Sequence, residues 1–318
     1  SRHSYNWLYD WICNHDDFRC SNGIVFKILI RRIKQLKNKN IHTFIGCDNE
    51  YEESKIVIFG APFDSTTSFR PGTRFASSAM RNESFGIETY SPYQNKDLED
   101  INVFDLGDLE LSFGNSEIAL KKIEDIAQEI SEDNKIPLMI GGEHSVTLGS
   151  VRAMAKKYPD LHIIQFDAHT DLREEYLEQV YSHASVIRRC WDILGDNKIF
   201  QFGIRSGERA EWEFAKKHVH TTKFNFEGLD SVVESLKDKP IYLTIDLDVL
   251  DPSEFPGTGT PEAGGVSFVD LHNAIEKVSK LNIVGIDINE LSPVYDQSGQ
   301  STALACKLLR EILLFIYK

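Results

Sequence analysis

Four aspartates and two histidines follow directly on strand-forming runs: His144 in Gly141-Gly142-Glu143-His144-Ser145, Asp167, His169 and Asp171 in Asp167-Ala168-His169-Thr170-Asp171, and Asp246 and Asp248 in Asp246-Leu247-Asp248. Side chains alternate along a strand, so residues two apart face one way. Asp167 and His169 therefore share a side after the run 161–166, as do Asp246 and Asp248 after 241–245. Asp171 follows as the chain leaves the sheet, and two glycines permit a tight exit before His144. Crowding four carboxylates and two imidazoles is heavily penalised unless cations hold them. The chemistry such a set supports is two-metal hydrolysis, in which ions typically ~3.5–4 Å apart turn a shared water into a nucleophile near neutral pH. Oxygen and imidazole donors without thiolate favour Mn2+, with Fe2+, Co2+ or Zn2+ also suited and Mg2+ less so.

These residues need a scaffold that delivers them together. Short β-rich runs occur at 55–60, 102–106, 136–140, 161–166, 198–203, 241–247 and 283–288, with a weaker one near 218–221. Helical-period segments lie between them at 74–89, 116–132, 145–157, 183–194, 207–217, 227–237, 267–279 and 300–317. Alternation of this kind predicts an α/β fold: one domain with about eight mainly parallel strands and helices on both faces. Ligands in such sheets collect beyond the carboxyl ends of strands, where all six residues fall. The loops 64–72 and 251–265, rich in Gly, Pro, Ser and Thr, are long enough to expect a functional role. Asp105 and Asp108 end another strand near the same face and are expected to cap a loop. The seven histidines other than His144, His169 and His183 lack ligand-like neighbours, which predicts surface or core positions.

Residues 1–45 read as a separate N-terminal extension, partly helical over 23–40 with a basic tail, preceding a catalytic domain over 46–318. A peripheral helix on its own domain or on a neighbouring subunit is the expected role. The apolar run 24–30 is interrupted by Lys27 and far too short for a membrane span, which needs ~20 residues. Five scattered cysteines without CxxC spacing argue against a disulfide framework or structural zinc and fit a reducing compartment, so a cytoplasmic location is expected. A formal charge of −14 opposes nucleic acid binding and suits a small cationic ligand.

Gly-Gly-Glu-His-Ser (141–145), Phe-Asp-Ala-His-Thr-Asp (166–171), Ile-Asp-Leu-Asp-Val-Leu-Asp-Pro (245–252) and Gly-Thr-Gly-Thr-Pro-Glu (257–262) resemble the signature motifs of the ureohydrolase (arginase/agmatinase) family. The likeness runs from about Lys55 to the C-terminus and includes 60–64, 70–74 and 289–293. One departure is Ala76-Ser77-Ser78, where the family often shows Gly-Pro, so that helix is expected to start differently. The resemblance implies an arginase-like three-layer fold and two Mn2+ ions per subunit. His144, Asp167, Asp171 and Asp246 would hold one ion, and Asp167, His169, Asp246 and Asp248 the other. A hydroxide bridging them would attack a guanidinium carbon, and the tetrahedral intermediate would collapse to urea and an amine. Asp171 would also accept and pass on a proton, Glu290 would pair with the guanidinium, and His183, matching a histidine of agmatinase-like members, would protonate the leaving amine. The family commonly forms trimers or hexamers, so a homo-oligomer is expected.

The loop after Asp171, Leu172-Arg173-Glu174-Glu175-Tyr176-Leu177-Glu178-Gln179, is acidic and lacks the Asn- and Ser/Thr-rich character of members that bind an α-carboxylate. It favours agmatine, with a cationic amine opposite its guanidinium, over arginine or guanidino acids such as guanidinobutyrate or formiminoglutamate. Arg173 leaves a carboxylate open as an alternative. A single-metal deacetylase-like enzyme and an inactive binding homologue are the remaining readings.

Overall fold

The computed structural model describes residues 42–318; residues 1–41 of the N-terminal extension expected over 1–45, with His3 and His15, lie outside the described residues. Eight strands form one sheet: β1 (Ile56–Ala61), β2 (Val103–Asp108), β3 (Ile136–Gly141), β4 (His162–Phe166), β5 (Ile199–Ile204), β6 (His220–Lys223), β7 (Pro240–Asp246) and β8 (Asn282–Asn289). Their order across the sheet is β2-β1-β3-β8-β7-β4-β5-β6, and every neighbouring pair is parallel. Parallel strands are covered on both faces, so their sequences read as near-continuous apolar runs. Accordingly every residue of β1, β4 and β5 is buried.

The helices are α1 (Ala76–Glu83), α2 (Ser116–Glu132), α3 (Thr147–Lys157), α4 (Val186–Leu194), α5 (Arg209–His218), α6 (Leu229–Ser235), α7 (Phe268–Val278) and α8 (Gln300–Ile316). Helices α2, α3 and α4 pack in series, and α1, α8, α7 and α6 form a second series, giving the expected layer on each face of the sheet. The sequence expectation of one helix over 74–89 is too long. Helix α1 is flanked by 3-10 turns at Thr73–Phe75 and Ser84–Gly86, because the Ser84 hydroxyl bonds back to the Arg81 carbonyl at 2.8 Å and tightens the turn. The altered start expected from Ala76-Ser77-Ser78 takes the form of the first of these turns. A two-residue antiparallel pair, Tyr90–Ser91 with Lys96–Asp97, was not anticipated.

Two largely buried ionic clusters tie elements together apart from the six candidate ligands. Arg81 of α1 grips Asp105 through two bonds of 2.9 Å and reaches Asp108 at 2.5 Å. The capping role expected of Asp105 is only partly right: it accepts Gly107 N–H, but it also takes Arg81 and the N–H of Phe44, a fully buried core residue. The second cluster centres on Glu311 of α8, which accepts bonds from Ser91, Gln94 and Arg310 and lies 3.5 Å from His272 of α7. Burial raises its carboxyl, but bonds from His272, Gln94, Ser91 and Arg310 outweigh this and bring it to about 2. A depressed acid stabilises the fold above its unfolded value and loses that contribution as pH falls through the folded one. Wild-type protein should therefore lose stability relative to E311Q as pH drops from about 4.5 towards 2, by at most about 3 kcal/mol, measured as denaturant unfolding of both at pH 7 and pH 3.

Candidate metal centre

The four central strands end level with one another. Ile140 of β3 pairs with Ile288 of β8, Ile288 with Ile245 of β7, and Ile245 with Phe166 of β4, so one row crosses all four. The residues that follow this row are Gly141, Asn289, Asp246 and Asp167. A glycine pair carries β3 past that edge. A Cβ on Gly142 would lie 1.9 Å from the Phe63 carbonyl oxygen, a backbone atom that cannot yield. That close approach lets Glu143 N–H bond Phe63 O at 2.8 Å. Glu143 itself is fully buried and accepts bonds from Thr66 N–H (2.8 Å), Thr67 Oγ1 (3.2 Å) and Ser145 Oγ (2.5 Å), fastening the 64–72 loop beside His144.

All six expected ligands come together. His144 Nδ1 lies 3.0 Å from Asp167 Oδ2, 2.9 Å from Asp171 Oδ2 and 3.4 Å from Asp246 Oδ2. Around the neighbouring position, His169 Nδ1 is 2.9 Å from Asp248 Oδ2 and 3.7 Å from Asp167 Oδ1. Asp167 thus belongs to both donor clusters, His144–Asp167–Asp171 and Asp167–His169–Asp248. Although three carboxylates surround it, His144 Nδ1 is buried and makes no hydrogen bond. An acceptor lone pair aimed into a ring of acceptors fits a cation and little else. The donor set, all oxygen and imidazole nitrogen, fits two divalent ions.

The electrostatics carry the same strain. Burial and the Asp167 charge push the Asp171 carboxyl up to about 7, and burial, Asp248, Asp167 and Glu290 push Asp246 well above the usual carboxylate range. Asp167 goes the other way: burial raises it, but the adjacent His144 and His169 imidazoles hold it low. Asp171 adopts φ +52°, a left-handed conformation that strains a non-glycine residue by about 1–3 kcal/mol. Ile187 and Arg188 at the start of α4 hold it there, each donating an N–H to the Asp171 carbonyl at 3.1 Å. Glu290, one residue beyond β8, is also left-handed (φ +67°) and buried, and its Oε1 accepts His144 N–H at 2.7 Å.

A chain of polar groups behind His144 escaped sequence reasoning. His144 Nε2 meets Thr244 Oγ1 at 2.8 Å, Thr244 donates to Asp287 at 2.6 Å, and Tyr242 and Asn289 also donate to Asp287. Thr244 passes its own proton to Asp287, so it accepts from Nε2–H, which leaves the Nδ1 lone pair facing the carboxylates. The available signal was polar residues within apolar strands, Thr244 in Ile-Tyr-Leu-Thr-Ile and Asp287 in Val-Gly-Ile-Asp-Ile. Replacing Thr244 by Val keeps its shape but removes the relay. Metal affinity should fall about 10–100-fold, measured by titration of chelator-treated protein, and an unchanged affinity would discount the relay.

A cleft of about 340 Å³ opens over these groups, with His144, Asp246 and Glu290 at its buried end and Arg173, Tyr176 and Glu208 at its exposed rim. His183 also lines it, its Nδ1 3.4 Å from Thr66 Oγ1 and its ring edge-on to Tyr176. The neutral-range pKa expected for His183 is not what its surroundings give: burial, aided by nearby charge such as Arg173, pushes it down to about 4. Among the remaining described histidines, His162 and His272 are buried in the fold, and His42, His218 and His220 lie away from the cleft lining. Glu208 and Glu211, unremarked in the sequence, reach the cleft from the start of α5.

The arginase family profile matches residues 54–315. The agmatinase of Bacillus subtilis is 45% identical over 279 residues, spanning 86% of this chain and 96% of its own. A solved structure of a candidate agmatinase from Clostridium difficile is 55% identical, with a TM-score of 0.82 over 84% of this chain and 99% of its own. The agmatine ureohydrolase of Thermoplasma volcanium is 37% identical, with a TM-score of 0.79 over 91% of this chain and 97% of its own. Together with the eight-stranded parallel sheet and the clustered donors, these matches establish that the chain belongs to the arginase family and within it resembles the agmatinases.

Proposed function

We propose that this enzyme hydrolyses agmatine to putrescine and urea, using two Mn2+ ions held by His144, Asp167, His169, Asp171, Asp246 and Asp248. The observation that carries the substrate reading is the state of Arg173. Its guanidinium lies 2.7 Å from Glu208, 3.6 Å from Glu211 and over the Tyr176 ring. A cation already matched by two carboxylates offers little to a substrate carboxylate, and the net rim charge favours a cationic tail. This weighs against arginine and guanidino acids. Two donor clusters sharing Asp167 weigh against a single-metal deacetylase, and the complete ligand set against an inactive homologue.

Bound there, a pair of divalent cations supplies an activated water at neutral pH and Lewis acidity. The chain's own residues supply the rest. Glu290 pairs with the guanidinium and turns its carbon toward the donor clusters. Asp171 accepts the proton of the attacking water. His183, neutral in its buried setting, relays that proton to the more basic leaving amine nitrogen without holding it as an imidazolium. A trimeric or hexameric assembly, as the family resemblance implies, and a cytoplasmic location complete the reading. No helix among the described residues is long and apolar enough to cross a membrane, and Cys47, Cys190 and Cys306 are buried and unpaired.

Purified protein supplied with Mn2+ should release urea from agmatine far faster than from arginine or guanidinobutyrate. Urea from arginine instead would overturn the substrate while leaving the class intact.

A further inference from the structure

We propose that Arg173 is a built-in occupant of the subsite for the substrate's distal ammonium, held on Glu208 in the free enzyme and displaced when a diamine-like cation enters. The inference rests on the reading of this cleft as a site for a guanidine with a cationic tail. Arg173 and Glu208 line the same cleft as Glu290 and Asp246, and their charged ends are 2.7 Å apart. Their side chains are 27% and 58% exposed, so the pair sits at the rim, where an ion pair is weak enough to exchange.

The surroundings let Arg173 move without becoming stranded. Its backbone is fixed by an N–H bond to the Ala184 carbonyl at 3.1 Å, so only the side chain need swing. Tyr176, 4.4 Å from the guanidinium, gives it a resting face, and Glu211 remains a counter-charge at 3.6 Å. Glu211 is itself anchored, accepting bonds from Thr170 Oγ1, Leu172 N–H and Glu208 N–H. The Glu208 backbone therefore stays in place while the partner of its carboxylate changes.

Spacing sets the length of cation that fits. Ser206 pairs with His169 in a parallel bridge, and Glu208, itself extended, lies two residues further on. At 3.3 Å per residue this displaces Glu208 roughly 7 Å from the metal-donor backbone, comparable with a four-carbon spacer between guanidinium and amine. The capping position of Glu208 at the start of α5 hides this role, since a Glu with another Glu three residues on is an ordinary helix start.

The test compares Mn2+-loaded full-length protein with E208Q, R173M and the double variant. Calorimetry measures binding of 1,4-diaminobutane and 1-aminobutane, and urea release is followed from agmatine and from butylguanidine, which lacks the amine. The exchange predicts that E208Q weakens diaminobutane about fivefold and raises KM for agmatine alike, with a clearly smaller fall in kcat/KM for butylguanidine. R173M should tighten diaminobutane by a similar factor, and that gain should vanish in the double variant. Equal tightening by R173M with or without the Glu208 carboxylate would reduce Arg173 to a distant repulsive charge and overturn the proposal, as would an E208Q that binds diaminobutane like wild type. Diamine binding is read without turnover, so failure of this exchange and failure of the hydrolytic reading give different results.

Discussion

Asp246→Asn should abolish urea release, by on the order of a thousandfold or more, and yet make the metal-free protein more stable. The two effects have one cause. Asp246 faces His144 at 3.4 Å and is raised well above the usual carboxylate range by burial, Asp248, Asp167 and Glu290. Without cations its charge is a liability to the fold; with them it would serve as a ligand. Asn keeps the shape and an oxygen that can accept the Asp248 N–H bond now made at 2.9 Å, so the local backbone has no reason to rearrange. After chelation, the variant should melt a few degrees above wild type, about 1–2 kcal/mol. On adding Mn2+ the order should reverse. Wild type gains about 2.7 kcal/mol per site at a metal concentration a hundredfold above Kd, and the variant gains less. Metal analysis of the dialysed protein should show two ions in wild type and fewer in the variant. A variant that keeps two ions and full stability yet loses activity would remove Asp246 from the ligand set.

How much of this was legible in the sequence depends on what kind of physics placed each residue. Seven of the eight strands were readable because parallel strands covered on both faces must be largely apolar, and Ile-Val-Ile-Phe or Ile-Ile-Gln-Phe admits few other settings, whereas the edge strand β6, His-Thr-Thr-Lys with no buried residue, gave only a weak signal. The donor cluster was readable because two-residue spacing at a strand end keeps Asp167 near His169 and Asp246 near Asp248, although Asp248 lies in a 3-10 turn over Leu247–Val249 and not on continuing strand. Residues whose role comes from a distant partner were not. Nothing near Arg81 in the chain says that it closes on Asp105 and Asp108, and nothing near Glu311 announces Ser91, Gln94 and His272. The His183 setting was missed for a related reason. A lone histidine before a helix carries no sign of the burial and nearby positive charge that lower its pKa. The end of α1 was misjudged because a serine side chain bonding its own backbone competes with the helix, an effect that periodicity does not report.

Glu290→Gln separates substrate binding from metal binding. Glu290 lines the cleft, and burial holds its carboxyl well above the usual range despite the bond from His144 N–H. Such a group gains most when a cation arrives to share its buried site. Gln retains the oxygen that accepts His144 N–H and fits the same left-handed turn, so His144 should stay in place and the ion content should remain at two. What is lost is the charge opposite the guanidinium. Removing one partner of a buried charged pair costs about 2–5 kcal/mol, so kcat/KM for agmatine should fall about 100-fold or more. Since the guanidinium is cationic before attack as well as during it, most of that loss should enter KM, with kcat less affected. Glu290→Ala should do worse, because it also frees the His144 N–H and so disturbs a ligand. An E290Q variant with wild-type KM, or one that loses an ion, would move Glu290 from the substrate to the scaffold and leave the guanidinium to be held by the acidic groups proposed as metal ligands.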